Sequence, residues 1–389
     1  MARNRIAYVV NHVAFFVSHR LPLACEASRA GFDVRLLTGR PGSEQMERDA
    51  VTRLRTAGIP HRRAAFTSSG MNPLVELLGF LQLVYFVLIF RPDILHCASP
   101  KGVLYGGLVG RICRVRGLIL AISGMGYAYT TGAGTGDRAR SVVRGVYDAL
   151  AGLAFRHPNV RVIVQNRDDY QAVISKGLAK SSSSLCLIPG SGVDLSLFEA
   201  CAATSKTRTV LLPARMLRDK GVGEFVEAAR RLKPMTPGWR FVLAGAAGYD
   251  NPSAIGLAEL QSWQSEGCIE WLGHVDDMVP LFRDSAIVCL PSYREGMPKA
   301  LLEAAAAGCA VVTTDVPGCR EAVEPGVTGD LVPVCDSEAL AGALLSLIND
   351  DGRRRAYGEK GMERAKDLYS VAAVMSKTVG IYKELLNHE

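Results

Sequence analysis

Short apolar runs of strand length alternate along this chain with longer stretches of helical spacing. Residues 6–10, 34–38, 118–122 and 160–164 read as buried strands, and residues 20–30 have helical spacing before the stop at Gly31. Residues 74–90 are the most apolar stretch, interrupted by Glu76, Gly79 and Gln82, and the segment 91–97 follows as a strand. That order favours a packed crossover helix; at 17 residues the stretch is also marginal for a bilayer span and suited to lying at a membrane interface. A serine run at 181–184 gives way to 185–188 and then Pro189-Gly190-Ser191-Gly192-Val193-Asp194, where the pattern breaks. The alternation then restarts: strands over 209–212, 241–245, 287–291 and 310–313, with helices between them and a last one over 371–386. The pattern predicts an α/β protein with one domain on each side of the break.

A length of 389 residues suits two cores better than one. Ten cysteines without a Cys-x-x-Cys spacing, several inside apolar runs, read as reduced core residues of a cytoplasmic protein. No cleavable signal is evident, because Asn11-His12 breaks the first apolar run. Charge divides the chain unevenly. Residues 1–200 hold 24 Lys and Arg against 13 Asp and Glu, whereas the remainder carries a net −4 of the overall +7. A basic first half suggests a nucleic acid or an anionic membrane surface as partner, or else a solvated arginine-rich face; no nucleic-acid module is recognised, and we expect none to bind.

The chemistry concentrates after the strand over 287–291, in Ser292-Tyr293-Arg294-Glu295-Gly296-Met297-Pro298-Lys299-Ala300-Leu301-Leu302-Glu303 and the small residues that follow to Gly308. Pro298 suits the first helical position and Gly308 the stop, which leaves Glu295 and Gly296 in the loop before the helix. A helix N-terminus there favours a phosphate. The two carboxylates, eight positions apart, should be roughly 10 Å from each other, too far for the ~5 Å dyad of a retaining glycosidase. They can grip two ends of one ligand, or Glu303 can pair with Lys299 while Glu295 is solvated. The first strand lacks a Gly-x-Gly-x-x-Gly turn, which counts against a dinucleotide enzyme.

Glu295, seven residues and Glu303, then a small-residue helix, a strand and Asp315-Val316-Pro317-Gly318-Cys319-Arg320-Glu321, resemble the retaining glycosyltransferases of family 4. The likeness extends over most of the chain. It implies the GT-B fold: two Rossmann-like domains facing a central cleft, 1–188 for the acceptor and the membrane and 189–370 for the nucleotide sugar, with 371–389 crossing back. It also implies that Glu295 contacts the donor sugar, that Gly296, Met297, Pro298 and Leu301 line the donor, and that Glu303 holds the ribose. Arg215 and Lys220, after the strand over 209–212, would stabilise the departing diphosphate, a task suited to a guanidinium and a lysine at a strand-to-helix junction.

The segment 251–277 resembles a bacterial subgroup that builds polyprenyl-diphosphate-linked oligosaccharides, including N-acetylgalactosamine transferases; His274 and Val275 would then lie near the nucleobase. In such transferases the loop over 11–20 faces the acceptor, which makes His19, Arg20 and Lys101 candidates there, although structural roles suit them equally. Many relatives carry a histidine after the strand over 118–122; here Ser123 and Gly124 follow, and Gly132, Gly134 and Gly136 mark a flexible segment.

Together these readings predict a cytoplasmic enzyme, peripheral on the inner membrane face. It would move a hexosyl or N-acetylhexosaminyl group from a UDP-sugar to a lipid-linked sugar, with retention and with neither metal nor cofactor. A UDP-sugar epimerase of the same fold and a non-catalytic nucleotide-sugar-binding subunit are the alternatives.

Overall fold

The computed structural model describes residues 3–41, 44–67, 72–124, 150–179, 182–203, 206–248 and 251–387. Met125, Gly126, the glycines at 132, 134 and 136, and Ser181 lie outside them. Two compact units divide the chain: residues 1–191 with 374–389, and residues 192–373.

The first unit is built on seven parallel strands: β1 (Arg5–Val10), β2 (Asp33–Arg40), β3 (His61–Thr67), β4 (Ile94–Ala98), β5 (Gly117–Ala121), β6 (Val160–Val164) and β7 (Leu185–Leu187). They lie in the order β3-β2-β1-β4-β5-β6-β7, so the winding reverses between β1 and β4. The central strands β4 and β5 are buried along their whole length, as a sheet covered on both faces requires. The second unit has six parallel strands: β8 (Thr207–Pro213), β9 (Arg240–Ala244), β10 (Glu270–Trp271), β11 (Ser285–Leu290), β12 (Ala310–Thr314) and β13 (Gly329–Val332). Their order is β10-β9-β8-β11-β12-β13, and the reversal falls between β8 and β11. Open α/β sheets bind ligands outside the carboxyl ends of the strands at such reversals.

Three features depart from the sequence pattern. The segment after β1, read as a loop, contains a helix, Val13–His19, capped by the His12 ring, which accepts from the Phe15 amide at 3.2 Å. Val13, Phe16 and Val17 fill its buried face at spacings of three and four. Strands β3 and β13 carry no clear signal because both are sheet edges: β3 begins with exposed Arg62 and Arg63 before burying Ala64 to Phe66. Pro298 caps the following helix, Lys299–Ala306, instead of opening it. That helix ends on paired bonds from Gly308 N to Ala305 O and from Cys309 N to Ala304 O.

The helix Pro73–Phe90 buries one face, through Gly79, Leu83, Phe86, Val87 and Phe90. Its other face is apolar and open: Leu74, Leu77, Leu78, Leu81, Tyr85, Leu88 and Ile89 are each at least half exposed. By length and composition it could cross a membrane, with a mean hydropathy of 2.1 over 18 residues.

Candidate active site

At the reversal in the second sheet, the loop after β8 and the loop after β11 are tied together. The Tyr293 amide donates to Asp219 O at 2.9 Å, and Ser292 Oγ lies 3.1 Å from the same carbonyl. Gly221, at φ +71, allows this approach: a Cβ there would come within 2.0 Å of Pro291 O. The union presents two side chains to each other. Lys220 Nζ donates to Glu295 Oε1 at 2.5 Å, and Ser292 Oγ sits 2.9 Å from that oxygen. Both side chains are 15% exposed, enough for a ligand to reach and little enough to strengthen the pair above a surface salt bridge.

Glu295 is therefore not a solvated loop carboxylate. Its backbone is fixed as well, with its amide donating to Pro317 O at 3.2 Å. Gly318, at φ +80, lies against the same turn, where a Cβ would meet the Glu295 and Gly296 carbonyls at 2.6 Å. This contact gives the Val316-Pro317-Gly318 part of the sequence motif a physical role: it is the floor under the Glu295 turn. Tyr293 is anchored from its other end, its hydroxyl donating to Glu224 at 2.6 Å; burial and then that carboxylate raise its pKa.

Lys299 pairs with Glu303 at 3.0 Å, one helical turn on. Gly296, Met297 and Pro298 are buried at the head of the helix, and Leu301 is 0% exposed in the core beneath it, where its side chain packs. Arg215 lies exposed in the loop after β8. His274 and Val275 follow β10 at the edge of the sheet, where His274 pairs with Asp276 at 3.2 Å and Val275 packs on the apolar core. The structure thus joins Lys220 to Glu295 and Lys299 to Glu303. It leaves His274 beyond the edge strand.

In the first unit, the reversal between β1 and β4 is locked by Asn11 and Ser99. The Asn11 amide donates to Ser99 Oγ at 2.8 Å, and Ser99 Oγ lies 2.8 Å from Asn11 Oδ1. Ser99 holds φ +66, a region costing a non-glycine residue ~1–3 kcal/mol, and the lock sustains it. Lys101 pairs with Glu76 at 2.8 Å, and Glu76 also accepts from the Tyr105 hydroxyl at 2.7 Å. His19 stacks on Phe15 with centroids 4.6 Å apart. Arg20 is buried. Ser123 Oγ is buried without a hydrogen-bond partner among the described residues. Sequence reasoning gave no role to Ser292, Asp219 or Gly318; Gly221 and Gly318, beside short loops, were the available signal for the close approaches.

Two doubly wound parallel sheets, each in its own α/β unit, are the two halves of a GT-B fold. A family model for glycosyl transferases group 1 matches residues 207–350, and one for the glycosyl transferase 4-like domain matches residues 18–183; the chain belongs to this family.

Across 86% of its length the chain is 28% identical to the N,N'-diacetylbacillosaminyl-diphospho-undecaprenol alpha-1,3-N-acetylgalactosaminyltransferase of Campylobacter jejuni, covering 89% of that protein. It is 31% identical to a phosphatidyl-myo-inositol mannosyltransferase of Mycolicibacterium smegmatis over 45% of each chain. In fold it is similar to HepE of Anabaena, solved in complex with UDP, with a TM-score of 0.75 at 18% identity over 98% of this chain and 100% of that one.

Proposed function

We propose that this glycosyltransferase moves a hexosyl or N-acetylhexosaminyl group, N-acetylgalactosamine foremost, from a UDP-sugar to a polyprenyl-diphosphate-linked sugar. The observation that carries the reading is the Lys220–Glu295 pair at the reversal between β8 and β11. A nucleotide diphosphate bound there would draw Lys220 toward its charge and release Glu295 for a sugar hydroxyl. Gly296 to Pro298 and the head of the Lys299–Ala306 helix would face the diphosphate, Glu303 the ribose, and His274 and Val275 the base. The lipid-linked acceptor is suggested by the name of the Campylobacter relative.

In the reaction we favour, the acceptor hydroxyl attacks the anomeric carbon on the face from which UDP departs. The carbon–oxygen bond to the phosphate breaks, the new glycosidic bond forms, and the acceptor proton passes to the leaving phosphate. The configuration is retained. Glu295 does not need to act as a nucleophile, which agrees with its commitment to Lys220. Lys220 and Arg215 supply positive charge where negative charge develops. Turnover should accordingly survive EDTA, measured as UDP release; complete loss restored by Mg²⁺ or Mn²⁺ would contradict this assignment.

Division of labour between the carboxylates gives a second expectation. Glu303→Ala should weaken UDP by roughly 10- to 100-fold, since losing a charged hydrogen-bond partner costs ~1.5–3 kcal/mol. Glu295→Gln should bind UDP at least as well as the wild type, because it no longer competes for Lys220, yet turn over poorly. Titration calorimetry in which both substitutions weaken UDP equally would refute the division.

The first unit is the part we assign to the membrane. Its open apolar helix face and its basic surface, including exposed Arg53, Arg55, Arg62, Arg111 and Arg114, suit insertion at an anionic bilayer on the cytoplasmic side. The test of the whole reading is a panel of UDP-sugars given to the purified chain, with and without polyprenyl-diphosphate sugar. We expect UDP release that depends on both. Isomerised UDP-sugar would mark an epimerase, and binding without turnover a binding subunit.

A further inference from the structure

Among the described residues of the first unit, two of the buried nitrogen atoms without a hydrogen-bond partner belong to side chains that line one cavity. Arg20 is 6% exposed and its Nε lacks an acceptor; its one described bond runs from Nη1 to His19 O at 3.2 Å. Among the described residues no carboxylate pairs with it. His96, in the middle of β4, is 1% exposed, and its Nε2 is likewise unpartnered. The cavity between them is closed by Ile163, Gly190, Ser191 and Thr378, and no acidic side chain lines it.

The hydrogen bonds behind the cavity fix what His96 offers. Tyr8 and Tyr382 hydroxyls are 2.7 Å apart, and the Tyr382 hydroxyl is 2.7 Å from His96 Nδ1. Burial, reinforced by the nearby Arg20, lowers the His96 pKa well below its usual value, so the ring is neutral and carries one proton. If Tyr8 donates to Tyr382 and Tyr382 to Nδ1, both hydroxyl protons are used and the ring proton sits on Nε2, the nitrogen without a partner. The reverse direction would leave the Tyr8 proton without an acceptor and set a bare lone pair at Nε2. The first arrangement therefore holds, and two unpartnered N–H donors with one positive charge belong to side chains that line a cavity without an acidic side chain.

A buried guanidinium without a counter-charge is strongly unfavourable. A water molecule could accept both bonds but would not offset the charge. We infer that the cavity beside Arg20 and His96 takes an oxyanion and, resting on the function proposed above, that this is a phosphate of the lipid-diphosphate acceptor. Arg20 and His96 would then hold the acceptor's diphosphate. The Tyr8–Tyr382 pair would position His96 without touching the substrate.

The test uses the full chain with saturating UDP, so that the second unit's site is filled, and titrates inorganic pyrophosphate. Wild type should bind it; Arg20→Met should bind at least tenfold more weakly, and Arg20→Lys, which keeps the charge, should fall between them. Absence of binding in the wild type, or equal binding by Arg20→Met, overturns the anion site. In the kinetic arm, Arg20→Met should raise KM for the polyprenyl-diphosphate acceptor about tenfold and leave KM for the UDP-sugar unchanged. If pyrophosphate binding is lost but the acceptor KM is not, the ligand is free phosphate and the assignment to the acceptor falls. A chain that binds pyrophosphate through Arg20 yet transfers no sugar would sink the proposed reaction and leave the site standing.

Discussion

Lys220→Ala should lower kcat by roughly 100- to 1,000-fold, the usual loss when one preorganised donor to a developing charge is removed. In the role proposed for it, Lys220 would act most strongly as the diphosphate departs, so the transition state should lose more than the ground state, and KM for the donor should rise far less than kcat falls. The substitution also frees Glu295 of the partner seen at 2.5 Å. A carboxylate left 15% exposed without its cation would repel an incoming diphosphate, which adds to the defect. The double substitution Lys220→Ala with Glu295→Gln should therefore bind UDP better than Lys220→Ala alone. Single-turnover measurements give the loss, and calorimetry gives the recovery. A kcat within tenfold of wild type would remove Lys220 from the chemistry.

The second large effect concerns the open face of the Pro73–Phe90 helix. Replacing Leu74, Leu81 and Leu88 with Gln leaves the buried face intact, because these three leucines are 77%, 55% and 56% exposed. Thermal stability should hardly change. If the face inserts into lipid, each leucine contributes up to ~1.5–3 kcal/mol of burial, so partial insertion of all three still supports a loss of about 100-fold in vesicle binding. Sedimentation of the full chain with anionic and neutral vesicles, at low and high salt, tests this. Binding that salt abolishes would assign docking to the arginines. Unaltered binding of the triple variant at high salt would refute insertion through this helix.

The outline of both sheets was readable because their central strands are uninterrupted apolar runs, as in residues 6–10 and 287–291. Glu295 and Lys220 were readable as types at loop ends, though not as a pair, since a contact between positions 75 apart leaves no periodic trace. The edges were hidden for another reason. Strand β3 opens with His61, Arg62 and Arg63, of which water solvates the two arginines at the rim of a sheet, so polarity there concealed a strand. The helix after β1 was obscured by the continuous apolar run Val13-Ala14-Phe15-Phe16-Val17, whose partly buried and fully buried members do not differ in type. His96 and Tyr382 are 286 positions apart, and only the folded chain brings them to one hydrogen bond.

The return of the helix Val371–Asn387 to the first unit has a consequence for how the protein is made. Tyr382 supplies the hydroxyl between Tyr8 and His96, while the Asn159 side-chain amide donates to Leu385 O at 2.9 Å and Arg116 donates to Leu386 O. The first unit thus lacks one of its core elements until the ribosome has translated the whole of the second. During that interval Tyr8 and His96 have no native partner for their polar atoms, and Ile381 and Leu385 are missing from the apolar layer they complete. The nascent first unit should remain open to chaperones and proteases for the time needed to synthesise residues 192–373, and a fragment ending before them should behave as a translation intermediate.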